Sequence, residues 1–389
     1  LKDMVARVAE DRQRPSPVGR VVRSVAGAMR SLTASEQPVT RSVQDDVRMI
    51  PQADEPLGKL LTEINSIEPA LLYRNQRGDD WRWWRGEVRG KIRELLGLTE
   101  EYQPAEQVKV DLGASCLLDG VHQYRMVLTA ADGLQIPGFL NVPGDMEPPL
   151  PALLVYPGEG TIEQTGGVDN GPQNANALAL AQAGYITITL EQRGFGALGA
   201  VDHIGLDNVA RLMGKTWLGI TLEDGLLALD YLQTRDDVDS ACLGATGLGL
   251  GGGLALYTAA LDERVRAVVV QNYLGGGMDA LRVTEGAVDV VPGLLQYADI
   301  SDVARLIAPR PALYAYPHHH SSTQQIARAF FDRMRPSYEA FSCPDRTRFV
   351  EHKEGSGYDN KLAKDWFQRW LVEEEDTSVL LWAPREYQP

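Results

Sequence analysis

Residues 242–257 read CLGATGLGLGGGLALY. An apolar run ends in the turn Gly247-Leu248-Gly249-Leu250-Gly251, and small and apolar residues follow it. This pattern predicts a buried strand, a tight glycine turn and a helix lying close against the sheet it leaves. A side chain at the centre of such a turn would stand above the edge of the sheet. The central residue is Gly249, which has none.

Working outward, the flanks predict a sheet of alternating strands and helices. PALLVYP (151–157) reads as a buried strand, QNANALALAQA (173–183) as a helix ended by Gly184, and YITITLE (185–191) as the next strand. ITLEDGLLALDYLQT (220–234) carries Leu222, Leu226, Leu229 and Leu232 at helical spacing. RAVVVQNY (266–273) and PRPALYAYP (309–317) supply further strands. Such alternation predicts a mostly parallel, doubly wound sheet covered on both faces. Upstream, HQYRMVLTA (122–130) and LQIPGFLNVP (134–143) flank Asp132-Gly133 and read as a hairpin.

The N-terminal part differs. Residues 56–98 read as helical, with Trp81, Trp84, Val88, Ile92, Leu95 and Leu96 three and four apart and Asp79 and Asp80 as cap candidates. A tryptophan stripe of this kind is core packing before it is a cofactor box. Residues 1–50 are polar and arginine-rich, too weakly apolar to fold alone. The expected organisation is a helical arm or cap over 1–105 and an α/β core over 106–389. Gly275, Gly276 and Gly277 open a lid segment at about 274–300. The arm is expected to pack on the main body or to join two copies as a homodimer.

Composition narrows the partners. The 389 residues carry a formal charge of -15, which repels a phosphate backbone and argues against nucleic acid. Cys116, Cys242 and Cys343 are odd in number and far apart, so no disulfide framework is indicated. No apolar run approaches the ~18 residues of a membrane span. A cytoplasmic protein with a small-molecule substrate and no membrane partner is expected.

Three stretches carry a family resemblance: TLEDGLLALDYLQTRDDVDSACLGATGLGLGGGLALYTAALDERVRAVVV (221–270), EQRGFG (191–196) and VARLIAPRPALYAYP (303–317). In this order they resemble the acetyl-xylan-esterase and dienelactone-hydrolase-like branch of the α/β-hydrolases, over about residues 120–389. The resemblance implies the α/β-hydrolase fold. It also implies a G-x-S-x-G elbow at 247–251, where the serine position is Gly249. The acid position falls near His320 and the histidine position at Ser356 or Gly357, so all three triad positions are changed. The oxyanion donors it implies are the Leu250 N–H and the loop Tyr156-Pro157-Gly158-Glu159-Gly160. Neither needs a serine.

Other residues present titratable or hydrogen-bonding groups. His318, His319 and His320 form the densest histidine cluster, and His320, then His318, are the base candidates. The competing readings are a polar surface loop and a metal site. His352 is either a base swung into the empty histidine position or a strand surface residue. Glu159 is either a proton acceptor or an exposed loop glutamate. Tyr273 and Tyr358 either bind a ligand or simply pack.

With no serine, the resemblance implies non-hydrolytic chemistry. The expected activity is a cofactor-independent oxygenase acting on a phenolic or enolic, aromatic-polyketide-like intermediate of natural-product biosynthesis, an oxidoreductase with O2 as co-substrate. A non-oxidative cyclase, lyase or isomerase, a non-catalytic binding protein and an esterase with a relocated nucleophile remain alternatives. No metal, flavin or nicotinamide is expected, because no ligand spacing is complete and no G-x-G-x-x-G follows the first strand.

Overall fold

The computed structural model describes residues 56–74, 78–98, 102–105, 107–273, 289–317, 321–352 and 357–373. The chain divides into two compact units, residues 1–62 and 63–389. Nine strands lie among the described residues: β1 Val110–Leu118, β2 Val121–Thr129, β3 Gln135–Pro143, β4 Leu150–Tyr156, β5 Ile186–Leu190, β6 Val238–Leu248, β7 Val265–Gln271, β8 Ala312–Pro317 and β9 Thr347–His352. The helices are α1 Pro56–Ser66, α2 Gly78–Leu96, α3 Ile162–Thr165, α4 Asn176–Ala181, α5 His203–Arg211, α6 Trp217–Gln233, α7 Leu250–Leu261, α8 Ile300–Arg305, α9 Ser321–Ala340 and α10 Asn360–Phe367. None of these is long and apolar enough to cross a membrane.

The strands form one sheet in the order β1-β2-β3-β5-β4-β6-β7-β8-β9. Strands β1, β2, β3 and β5 pair antiparallel, and the pairs from β5 through β9 are parallel. One row across the parallel part runs Ile188, Leu154, Ala245, Val268, Ala312, Thr347. The mostly parallel sheet is the one the alternating pattern predicted, and the fold is the α/β-hydrolase fold that the resemblance implied.

Both faces are covered, so β4 is apolar on each side. Ala152, Leu154 and Tyr156 join a core with residues of α2, α6, α7 and α8. Leu153 and Val155 join a second core with Ala177 and Leu180 of α4 and Ala363, Trp366 and Phe367 of α10. Tyr156 pins the sheet to α7 through its hydroxyl, 2.7 Å from Thr258 Oγ1. The tryptophan stripe of α2 is packing: Trp81, Trp84, Val88, Ile92 and Leu96 are buried, and Trp84 Nε1 donates to the Leu71 carbonyl at 2.7 Å.

Two elements differ from the sequence reading. Strand β1 extends the hairpin on its outer edge. Its residues are almost all exposed and its pairing slips between Leu112 and Ser115, so no apolar alternation announces it. Helix α4 starts at Asn176 rather than 173, because Asn174 and Ala175 both hold φ near 50°, the left-handed region.

Strand order reverses around β4. From β4 the chain moves to β5 on one side and then returns to β6 on the other. Open α/β sheets bind ligands beside the C-terminal strand ends at such a reversal. The loops after β4 and β6 meet there.

Candidate active site

Gly249 lies between the end of β6 and the start of α7, with φ 57° and ψ −124°. A residue with a β-carbon is strained at this φ, and glycine is not. The turn is fixed by Gly249 N–H donating to the Gln271 carbonyl on β7 at 2.9 Å. The loop after β4 closes on it. Gly158, at φ 62°, comes so near that a β-carbon there would sit 2.5 Å from the Leu248 carbonyl oxygen.

That approach delivers Glu159. Its Oε2 accepts a hydrogen bond from the Leu250 backbone N–H at 3.1 Å. A β-carbon built on Gly249 would lie 2.6 Å from the same oxygen. The carboxylate therefore fills the space where an elbow side chain would begin. It also holds the N–H at the head of a 12-residue helix, where a negative charge is favoured. The Glu159 side chain is exposed, so solvent and small molecules reach it. Gly158, Glu159, Gly249 and Leu250 thus converge at the strand-order reversal.

The other candidates are placed differently. His318, His319, His320 and Ser356 lie outside the described residues. His352 ends β9, half-buried, with Nε2 3.3 Å from Asn272 Oδ1. Tyr273 is buried, its ring against the Gly253 backbone of α7 and its hydroxyl facing Asp289. Tyr358 is buried with its hydroxyl 2.6 Å from Thr246 Oγ1, so that group is spent inside the sheet. Arg193 ties loops together: it donates to Asp224 at 2.7 and 2.8 Å and to Asp132 at 2.5 Å.

The turn around Tyr358 is pinned from three sides. Gln271 donates to the Asp359 carbonyl at 3.0 Å and accepts from its N–H at 2.8 Å. Asn174 Nδ2 donates to the Tyr358 carbonyl at 2.8 Å, and the Tyr358 N–H donates to the Pro172 carbonyl at 2.7 Å. The sequence reading did not single out Gln271, Asn174 or Thr246, since an isolated polar residue at a strand end or in a loop carries no periodic signal. Tyr358→Phe removes one buried bond and leaves Thr246 its own donation to the Val269 carbonyl. We expect about 1 kcal/mol of lost stability, read from denaturant midpoints, with the fold retained.

One buried carboxyl was also not singled out by the sequence reading. Glu191 ends the β5 strand run and is buried, with Oε2 3.3 Å from the Ala197 N–H. Burial pushes its carboxyl up to about 7, and the negative charge of Glu163 adds to the rise. The folded protein thus holds this proton more tightly than the unfolded chain does. Stability from this group is greatest below the ordinary value of 4.5 and declines as pH rises toward about 7. Glu191→Gln should therefore flatten the fall in melting temperature between pH 5 and pH 8. A native protein and variant with identical pH dependence would contradict this.

One curated relative carries a hydrolase name. The protein named "Putative hydrolase YtaP" of Bacillus subtilis (strain 168) is 27% identical over 242 residues, covering 59% of this chain and 79% of its own. A glucuronoyl esterase from Solibacter usitatus superposes with a TM-score of 0.62 at 15% identity, covering 78% of this chain and 98% of that one. An acetyl xylan esterase from Paenibacillus sp. R4 superposes with a TM-score of 0.51 at 19% identity, covering 80% and 99%. At these identities the two structures speak for the fold.

The expected oxygenase is corrected by these findings, and with it the oxidoreductase class, the natural-product setting and the cyclase, lyase or isomerase alternative. Both the family match and the named relative point to hydrolysis. The physical reason lies at the elbow. The backbone N–H expected to hold an enolate or phenolate already holds the Glu159 carboxylate. A carboxylate therefore stands in the space above Gly249 where the sequence put no side chain. The hydrolase-family model matches residues 39–362, most of the sequence, and the chain belongs to the Abhydrolase family.

Proposed function

We propose that this protein is an ester hydrolase of the carbohydrate-esterase type in which Glu159 replaces the missing elbow hydroxyl as general base. In this reading the serine, acid and histidine positions of the family are all substituted, at Gly249, near His320 and at Ser356 or Gly357. One observation carries it: the Glu159 carboxylate occupies the space above Gly249 while bonded to the Leu250 N–H.

The chemistry follows from those groups. An ester carbonyl oxygen takes the Leu250 N–H in place of Glu159. The freed carboxylate accepts a proton from water, whose oxygen attacks the acyl carbon. The tetrahedral oxyanion is stabilised by the Leu250 N–H at the head of α7. Collapse breaks the bond to the leaving alkoxide, which takes the proton back from Glu159. Acid and alcohol leave, and the carboxylate is regenerated without an acyl-enzyme.

The test is hydrolysis of p-nitrophenyl acetate, an acetylated xylo-oligosaccharide and a methyl glucuronate ester by the native protein. Turnover above buffer with at least one ester is expected, together with no fluorophosphonate labelling, since the elbow has no hydroxyl. A folded protein that hydrolyses none of the three overturns the reading.

A further inference from the structure

The turn that carries Glu159 is held by a side chain from another loop. Residues 157–160 close on themselves, with the Gly160 N–H donating to the Pro157 carbonyl at 2.9 Å. The same carbonyl accepts a second hydrogen bond, from Gln173 Nε2 at 2.5 Å. Both of its lone pairs are then used. Gln173 is buried, and its Cγ packs so near the turn that a β-carbon on Gly160 would lie 2.9 Å from it. Helix α4 starts only at Asn176, so Gln173 lies in the loop before it and its side chain crosses to the turn.

The orientation of the Gln173 amide is fixed in turn. Asn176 Oδ1 accepts from the Ala177 N–H at 3.0 Å, which leaves Asn176 Nδ2 toward Gln173 Oε1 at 3.4 Å. Gln173 Nε2 therefore faces Pro157. The loop around it is anchored on both sides. The Asn174 N–H donates to the Gly171 carbonyl and the Ala175 N–H to the Gln164 carbonyl, each at 3.1 Å. Asn360 Nδ2 donates to the Asn174 carbonyl at 2.7 Å. The braced loop presents a donor to the turn, and the turn presents Glu159 to the Leu250 N–H.

We propose that Gln173 is a positioning residue: its hydrogen bond to the Pro157 carbonyl fixes the turn that places the Glu159 carboxylate over Gly249. Placement matters to a reacting group, since a shift of about 1 Å costs about 10²-fold in rate. The effect on catalysis rests on the ester-hydrolase reading, whereas the effect on the Leu250 N–H does not.

Gln173→Met keeps the length of the side chain and removes the donor. Amide hydrogen exchange at Leu250 should quicken ~10-fold or more in this variant, as Glu159 loses its place. Exchange at Val268, whose N–H donates to the Pro311 carbonyl within the sheet, should not change. In hydrolysis of p-nitrophenyl acetate, kcat should fall ~10-fold or more with KM nearly constant. Gln173→Glu reads the hydrogen bond itself. Burial holds a carboxyl above its ordinary range. Protonated, its O–H can donate to the Pro157 carbonyl; ionised, it cannot. The kcat of Gln173→Glu relative to the native protein should therefore fall ~10-fold or more from pH 5 to pH 8, while the ratio for Gln173→Met stays flat. If the native protein hydrolyses no ester, the ester-hydrolase reading fails and exchange at Leu250 decides this proposal alone. If Gln173→Met does not fold, exchange in Gln173→Glu against the native protein at each pH takes its place. Native exchange at Leu250 in the folded variant, or a Gln173→Glu ratio that does not change with pH, overturns the proposal.

Discussion

Glu159→Gln is expected to lower kcat for ester hydrolysis by about 10²–10⁴-fold, the usual cost of losing a general base. Glutamine keeps the length and shape of the side chain, and its amide oxygen can still accept from the Leu250 N–H. It cannot take a proton from water. The fold should be untouched, because the side chain is exposed and its hydrogen bond with the Leu250 N–H survives. The change should fall on kcat more than on KM, since the carboxylate acts in the transition state. A variant that retains native turnover removes Glu159 from the chemistry.

The second large effect is expected at the next donor. Leu250→Pro removes a single backbone N–H, the one that now holds Glu159 and would hold the oxyanion. Proline is tolerated at the first position of a helix, where that N–H has no intrahelical partner, and Leu250 is the first residue of α7. Gly249 before it can keep its positive φ, which a larger residue would resist. Loss of one oxyanion donor costs about 10²–10³-fold in kcat. The buried leucine side chain is lost too, so melting should be followed in parallel. Full activity in a folded Leu250→Pro protein would mean that the oxyanion is held elsewhere.

The fold was readable because its signals are local and repeated. The glycine turn at 247–251, the leucine stripe of α6 and the apolar runs of β4, β5, β7 and β8 each stand in one short window. Strand β1 was not readable, since an exposed edge strand with a register slip has no buried face to pattern it. Gly249 at the centre of a tight turn between a strand and a helix was also readable.

What fills the elbow was not. Glu159 and Leu250 are 91 positions apart, and only the approach of Gly158 to Leu248 brings them together. The sequence offered Glu159 as a proton acceptor or an exposed loop glutamate. It did not show that the charge would stand above Gly249. The same gap led from a glycine at the turn's centre to oxidative chemistry, which the hydrolase-family match and the named relative overturn. Glu191 and Gln271 were hidden for a related reason. Each matters through a partner on a different element, Ala197 for one and Asp359 for the other.

The most direct test of the account is hydrolysis of an acetate ester in H2 18O, followed by mass spectrometry of both the product and the protein. Attack by water activated at Glu159 predicts one 18O atom in the released acetate. It also predicts an unlabelled Glu159 peptide and no acetylated residue at any time in the turnover. An acetyl group trapped on a serine, 18O entering the Glu159 carboxyl, or the absence of hydrolysis would each contradict it.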